Sequence, residues 1–156
     1  MKVLTFKWNG PSSLADELSM PLSYLSVEWA DHAKVSQVTL RRQGGTGIRI
    51  HSAMHDVAER REIGVLHFSF VTDTFEEESF DLNGAFQQTI TPAKLVIQES
   101  GTEGESGIVL KAHNGHELVI VASSFPYFLY VGGVHGLKQS VVPEYSLDEY
   151  RRCDLS

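Results

Sequence analysis

Ile108-Val109-Leu110-Lys111-Ala112-His113-Asn114-Gly115-His116-Glu117-Leu118-Val119-Ile120-Val121-Ala122 is the stretch that decides the fold class. Two runs rich in β-branched residues are separated by Asn-Gly, a pair that tolerates the left-handed backbone conformation of a type I′ hairpin turn. Leu118 to Ala122 is therefore expected to pair back on Ile108 to Ala112. The returning run is apolar at every position, as is Tyr127-Phe128-Leu129-Tyr130-Val131 beyond it, and a strand apolar on both faces is covered on both faces. These two are expected to be central strands.

The same logic extends towards the N-terminus. Ala93 to Glu99 reads as a strand, followed by the polar, glycine-containing loop Ser100 to Ser106. Leu66, Phe68 and Phe70 alternate with His67 and Ser69, the period of a strand with one apolar and one polar face. Leu25, Val27 and Trp29, then Val38 and Leu40 after the polar turn Ala30 to Lys34, give an antiparallel hairpin. Gly44-Gly45-Thr46-Gly47 turns the chain again into Ile48-Arg49-Ile50, completing a meander from about Leu22 to Ile50. Val3 to Trp8 is a first strand, closed by Asn9-Gly10-Pro11.

Two or three short helices are expected. Ser12 or Ser13 caps a segment with Asp16 and Glu17 near its positive end and Leu14 and Leu18 on one face, limited by Pro21. Ala53 to Arg61 sets Met54, Val57 and Ala58 on one side, with Asp56 and Arg60 at ion-pair spacing. Ser146 to Arg152 opens with acids and closes with arginines. Asp73 to Gln88 fits neither period. The expectation is a mainly β fold: an antiparallel β-sandwich or partly closed barrel with two or three short helices. The alternative is α+β, with the helices on one face of an antiparallel sheet.

Size and composition narrow this further. The 156 residues suit one domain spanning 1–156, and 42% hydrophobic with 21% charged residues is ordinary globular usage, against long disordered tails. The lone Cys153 excludes an intrachain disulfide, the N-terminus lacks an unbroken apolar signal region, and Leu118 to Val131 is too short and too interrupted to span a membrane. A cytoplasmic protein without membrane association is expected. The formal charge of −7 opposes binding to a nucleic-acid backbone.

No phosphate loop GxxxxGK[ST], hydrolase elbow GxSxG, CxxC pair or internal repeat is present. Three groups of residues carry what chemistry there is. His51 and His55 are four apart, with Asp56 adjacent, and would share one side of a continuous helix; as metal ligands they lack the rest of any known zinc pattern, so no metal and no cofactor are expected. Arg41, Arg42 and Arg49 bracket the glycine turn and, if they converge, would hold a carboxylate or phosphate. Phe75, Glu76, Glu77, Glu78 and Phe80 combine clustered negative charge with apolar anchors, the composition of a surface that docks a basic protein partner.

The function expected from these features is a β-rich interaction module, immunity-like or adaptor-like, that docks a protein partner through its acidic surface and catalyses no reaction. The alternative is a small-molecule or metal-binding β-barrel, with an enzyme among its versions, in which histidines and arginines line a barrel mouth. Self-association through the face of Phe128, Tyr130 and Val131 is a third reading.

Overall fold

The hairpin at Asn114-Gly115 forms where the sequence places it. The computed structural model describes residues 1–58, 61–72, 78–82 and 84–155, and in it Thr102–Lys111 (β8) pairs with Glu117–Ala122 (β9) in the register Ile108↔Ile120 and Leu110↔Leu118. The turn type differs from expectation. Gly115 alone is left-handed, at φ +89°, and Asn114 is not. The Gly115 amide donates to Ala112 O at 2.9 Å and the Ala112 amide to His116 O at 2.8 Å, a three-residue loop closed by a left-handed glycine. Asn114 contributes its side chain instead, Oδ1 accepting the His116 amide at 2.9 Å.

The remaining strands follow in chain order: Lys2–Leu4 (β1), Tyr24–Ala30 (β2), Lys34–Arg41 (β3), Gly47–Ala58 (β4), Arg61–Val71 (β5), Glu78–Asp81 (β6), Thr91–Glu99 (β7), Leu129–Gly132 (β10) and Arg151–Asp154 (β11). β2, β3 and the start of β4 are the expected meander. Backbone pairing returns to its starting strand. β3 pairs with β4 and β4 with β5; the Phe68 amide of β5 donates to Lys7 O at 2.8 Å; the same N-terminal segment forms β1, parallel to β8; β8, β9 and β10 pair in turn, and Leu129 of β10 comes back to Val35 of β3. The fold is thus mainly β, a partly closed barrel, with β2 and β6 extending one side and β7 and β11 the other.

Both faces of β9 are covered, as its unbroken apolar sequence requires. Leu118 and Ile120 join the larger core, with Leu25, Val38, Leu40, Ile48, Ile50 and Leu129. Val121, on the other face, joins Ile63, Val65, Leu95, Val109 and Tyr150 in a second core. Burying two layers against one hairpin is why this segment dominates the sequence pattern.

Two expected helices are strands or turns instead. Ala53 to Ala58 continues β4, paired Ala53↔Val65, Met54↔Gly64 and His55↔Ile63, because only an extended chain here lays β5 down with Ile63 and Val65 fully buried; tertiary pairing overrides a weak local helical pattern. Residues 59–60 lie outside the described ones. Near the C-terminus a single 3-10 turn, Leu147–Glu149, leads into β11, whose arginines pair across the sheet, Arg151 with Glu103 at 2.5 Å and Arg152 with Glu117 at 2.8 Å, where a helix end was expected to use them. The first helix is present as Leu14–Leu18 (α1), with Ser13 Oγ accepting the Asp16 amide at 3.1 Å. With a second 3-10 turn at Asp31–Ala33, these are the short helical elements among the described residues. None of their helices is long and apolar enough to cross a membrane.

Candidate functional site

The extension of β4 relocates its histidines. His51 and His55 lie two pleats apart on one strand face, roughly 13 Å along the chain at the usual rise of a β-strand. A helix would have stacked them; the strand separates them and lets β5 insert a third imidazole. His67 is paired directly with His51, ring centroids 5.3 Å apart and planes at 80°, and reaches diagonally to His55 at 6.1 Å. Asp56, next in β4, is exposed and points to the opposite face. Among the described residues no group of three or more His, Cys, Asp or Glu is placed to hold a metal ion.

The N-terminal segment supplies the other wall. Phe6 packs edge-on against Phe68 at 4.9 Å, and its amide donates to Glu105 Oε1 at 2.7 Å, which fixes the chain beside β5. Lys7 and Trp8 are thereby set against His67 and His51. The Trp8 indole is held by its Nε1, which donates to Ser12 O at 2.8 Å, and lies flat over Gly10, where any Cβ would sit 1.8 Å from the ring. The result is an open cleft of about 310 Å³ lined by Lys7, Trp8, Asn9, His51, His67 and Ser69.

Its electrostatics run against the charge of the molecule as a whole. Burial holds His51 below the ordinary histidine range. His67 is lowered first by burial and then by the positive charges of His51, Lys7 and His55. Both imidazoles are thus kept neutral near pH 7, and among the described residues no hydrogen bond engages the His51 or His67 ring nitrogens. Each ring keeps one nitrogen lone pair and one N–H for a visitor.

The expected arginine cluster divides. Arg42 turns away to Glu17 of α1, giving an ion pair with side chains 12% and 4% exposed. Arg41 is buried on β3 opposite Gly47, and Arg49 lies opposite Thr39, whose Oγ1 accepts its Nε at 3.3 Å; these two share a sheet face, and each has partners. Arg49 is also paired with Ser69, a residue of the cleft wall, so one of the three expected anion-binding residues stands beside it.

Of the expected docking residues, Phe75, Glu76 and Glu77 lie outside the described residues. Glu78 and Phe80 begin and continue β6, where Glu78 Oε2 accepts the Trp29 indole at 2.5 Å and Phe80 packs part-buried against the larger core. In this arrangement both contribute to holding β6 on β2.

Two further concave regions are more fully self-satisfied. Around Phe86 and His116, the His116 Nε2 bonds Gly133 O at 2.7 Å and its ring packs edge-on against Phe86. Around Glu144 and Tyr145, burial raises Glu144 and pushes the Tyr145 hydroxyl up to about 12; that hydroxyl donates to Glu99, which is paired to Arg61 at 3.1 Å. Lys7 and Trp8 carried no functional signal in the sequence, since only the return of the N-terminus to β5 brings them to the histidines. The chain matches no protein-family model, no curated protein and no solved structure.

Proposed function

We propose that this protein is a small-molecule-binding β-barrel domain whose ligand seats in the cleft between the N-terminal segment and the β4–β5 hairpin. The observation that supports this reading is the convergence of Trp8, His51 and His67 from two distant parts of the chain on one open cavity, with the imidazole nitrogens uncommitted. A pocket with rigid ring walls and a few convergent polar groups is what small-ligand sites have in common. Trp8 is pre-positioned by its bond to Ser12 and its seat over Gly10, so little side-chain entropy is lost when a ligand docks.

The sequence contains two tryptophans, Trp8 and Trp29, and Trp29 lies on β2, outside the cleft. In a Trp29→Phe variant the intrinsic fluorescence reports Trp8 alone. A metabolite screen read by that fluorescence and by thermal shift should return ligands that move both signals and saturate. Hits that raise the melting temperature while leaving Trp8 unchanged would place the site elsewhere and sink this reading.

A further inference from the structure

The ionisable groups around His67 are all basic. Burial aside, the groups that act on it are His51, Lys7 and His55, cationic or able to become so, and no carboxylate is among them. In a chain with 20 acidic and 13 basic residues, a site whose ionisable neighbours are all basic runs against the composition. The groups packed around the cleft are Lys7 from the N-terminal segment, His51 and His55 from β4 with Arg49 one pair further along, and His67 from β5. The carboxylate that touches the N-terminal segment, Glu105, is already occupied, accepting from the Phe6 amide and ion-paired to Lys94 at 2.5 Å.

We infer that the ligand of this cleft carries a carboxylate or phosphate group, and that its binding draws a proton onto the His51–His67 pair. The inference rests on the small-ligand reading above and names the chemistry of the ligand. A lysine ammonium supplies a permanent point charge, and imidazole N–H groups supply directed donors once protonated, a combination suited to an oxyanion. An empty cleft keeps the imidazoles neutral, because burial disfavours the charged ring at both positions and, at His67, the charge of Lys7 adds to this. An anion between them reverses that balance, since an opposite charge at contact distance favours the protonated ring. Binding and protonation are therefore linked, and each strengthens the other. The cleft's volume of about 310 Å³ seats, beside the anionic group, roughly a single ring or a short chain.

The test uses the full chain carrying Trp29→Phe, titrated with benzoate, with inorganic sulfate as a tetrahedral oxyanion whose charge is constant over this range, and with the neutral isostere benzyl alcohol, at pH 6 and pH 8. The expected result is saturable quenching or shift of Trp8 by at least one of the two anions, with affinity about tenfold weaker at pH 8, the limit for uptake of one proton being tenfold per pH unit. Lys7→Met should weaken the same anion severalfold at both pH values, and His67→Gln should remove most of the pH dependence. Benzyl alcohol binding as tightly as benzoate, or an anion affinity unchanged between the two pH values, would overturn the inference while leaving the small-ligand reading intact. If no probe of either charge moves Trp8, and the metabolite screen is also blank, both fall.

Discussion

His51 and His67 face each other across the β4–β5 ladder with ring centroids 5.3 Å apart, half-buried and with Lys7 acting on the second of them. Two imidazoles at that separation cannot both take a proton cheaply in a partly desolvated setting. A proton on His51 therefore opposes one on His67. The direction in which both rings are shifted fixes how the fold responds to acid.

Both groups are lowered in the folded chain, His51 by burial and His67 by burial and then by its positive neighbours. The unfolded chain, with histidines near their ordinary value of about 6.5, binds protons that the native state refuses. Stability therefore rises with pH through this range and is lost as pH falls below about 6.5. Urea denaturation between pH 5 and pH 8 should show this slope, and a His51→Gln, His67→Gln double variant should flatten it. An equally steep slope in that variant would assign the acid sensitivity to other groups.

Lys7 offers a more local check. Its ammonium is one of the charges that depress His67, so Lys7→Met should move the His67 midpoint upward in a proton NMR titration. A His67 midpoint that does not rise would mean that Lys7 turns away from the cleft in solution.

The parts of this arrangement that were legible in the sequence are those set by local pattern. Ile108 to Ala122 announces a hairpin because two runs rich in β-branched residues and an Asn-Gly turn act within fifteen residues of chain. The β4 extension was hidden because Met54, Val57 and Ala58 also satisfy a helical period; the choice is made by Ile63 and Val65, which need an extended partner to be buried. His67 was visible as the polar face of a strand, yet its neighbours could not be named without the β4–β5 register. Lys7 and Trp8 reach it from sixty residues away through the Phe68–Lys7 backbone bond. Arg42 read as one of three arginines converging on an anion because its actual partner, Glu17, sits on a separate helix.

That Arg42–Glu17 pair makes a second stability prediction. Burial pushes the Glu17 carboxyl up, but a hydrogen bond from Ser12 Oγ at 2.7 Å and the Arg42 guanidinium more than offset this and hold it below its ordinary value. A carboxyl lowered in the folded state stabilises the fold above its unfolded value, about 4.5, and that contribution is lost as pH falls through the folded one. Glu17→Gln should cost about 3 kcal/mol at neutral pH by leaving a nearly buried guanidinium uncompensated. The double change Glu17→Leu, Arg42→Met should recover much of that loss, since it removes both charges and the unbonded Arg42 Nε together. Chemical denaturation of the three variants decides it. A double variant no better than the single one would show that α1 depends on the pair for its position.

Two glycine-to-alanine substitutions should destabilise for different reasons. At Gly115 there is open space for a methyl group, with no atom within 4 Å, but φ is +89°, so Gly115→Ala should cost about 1 kcal/mol from backbone strain alone. At Gly64 the backbone is ordinary, but an added Cβ would lie 2.5 Å from Ala122 Cβ and 2.9 Å from Ser52 Oγ, where β5 crosses β9. Gly64→Ala should cost about 1–3 kcal/mol by overpacking. A compensating Ala122→Gly change separates the two mechanisms: it should relieve the Gly64 variant and leave the Gly115 variant unrelieved, because only the first conflict is between side chains. Urea midpoints for the two singles and the two doubles measure both effects, and rescue of both variants or of neither would refute the crossing of β5 over β9 as the cause.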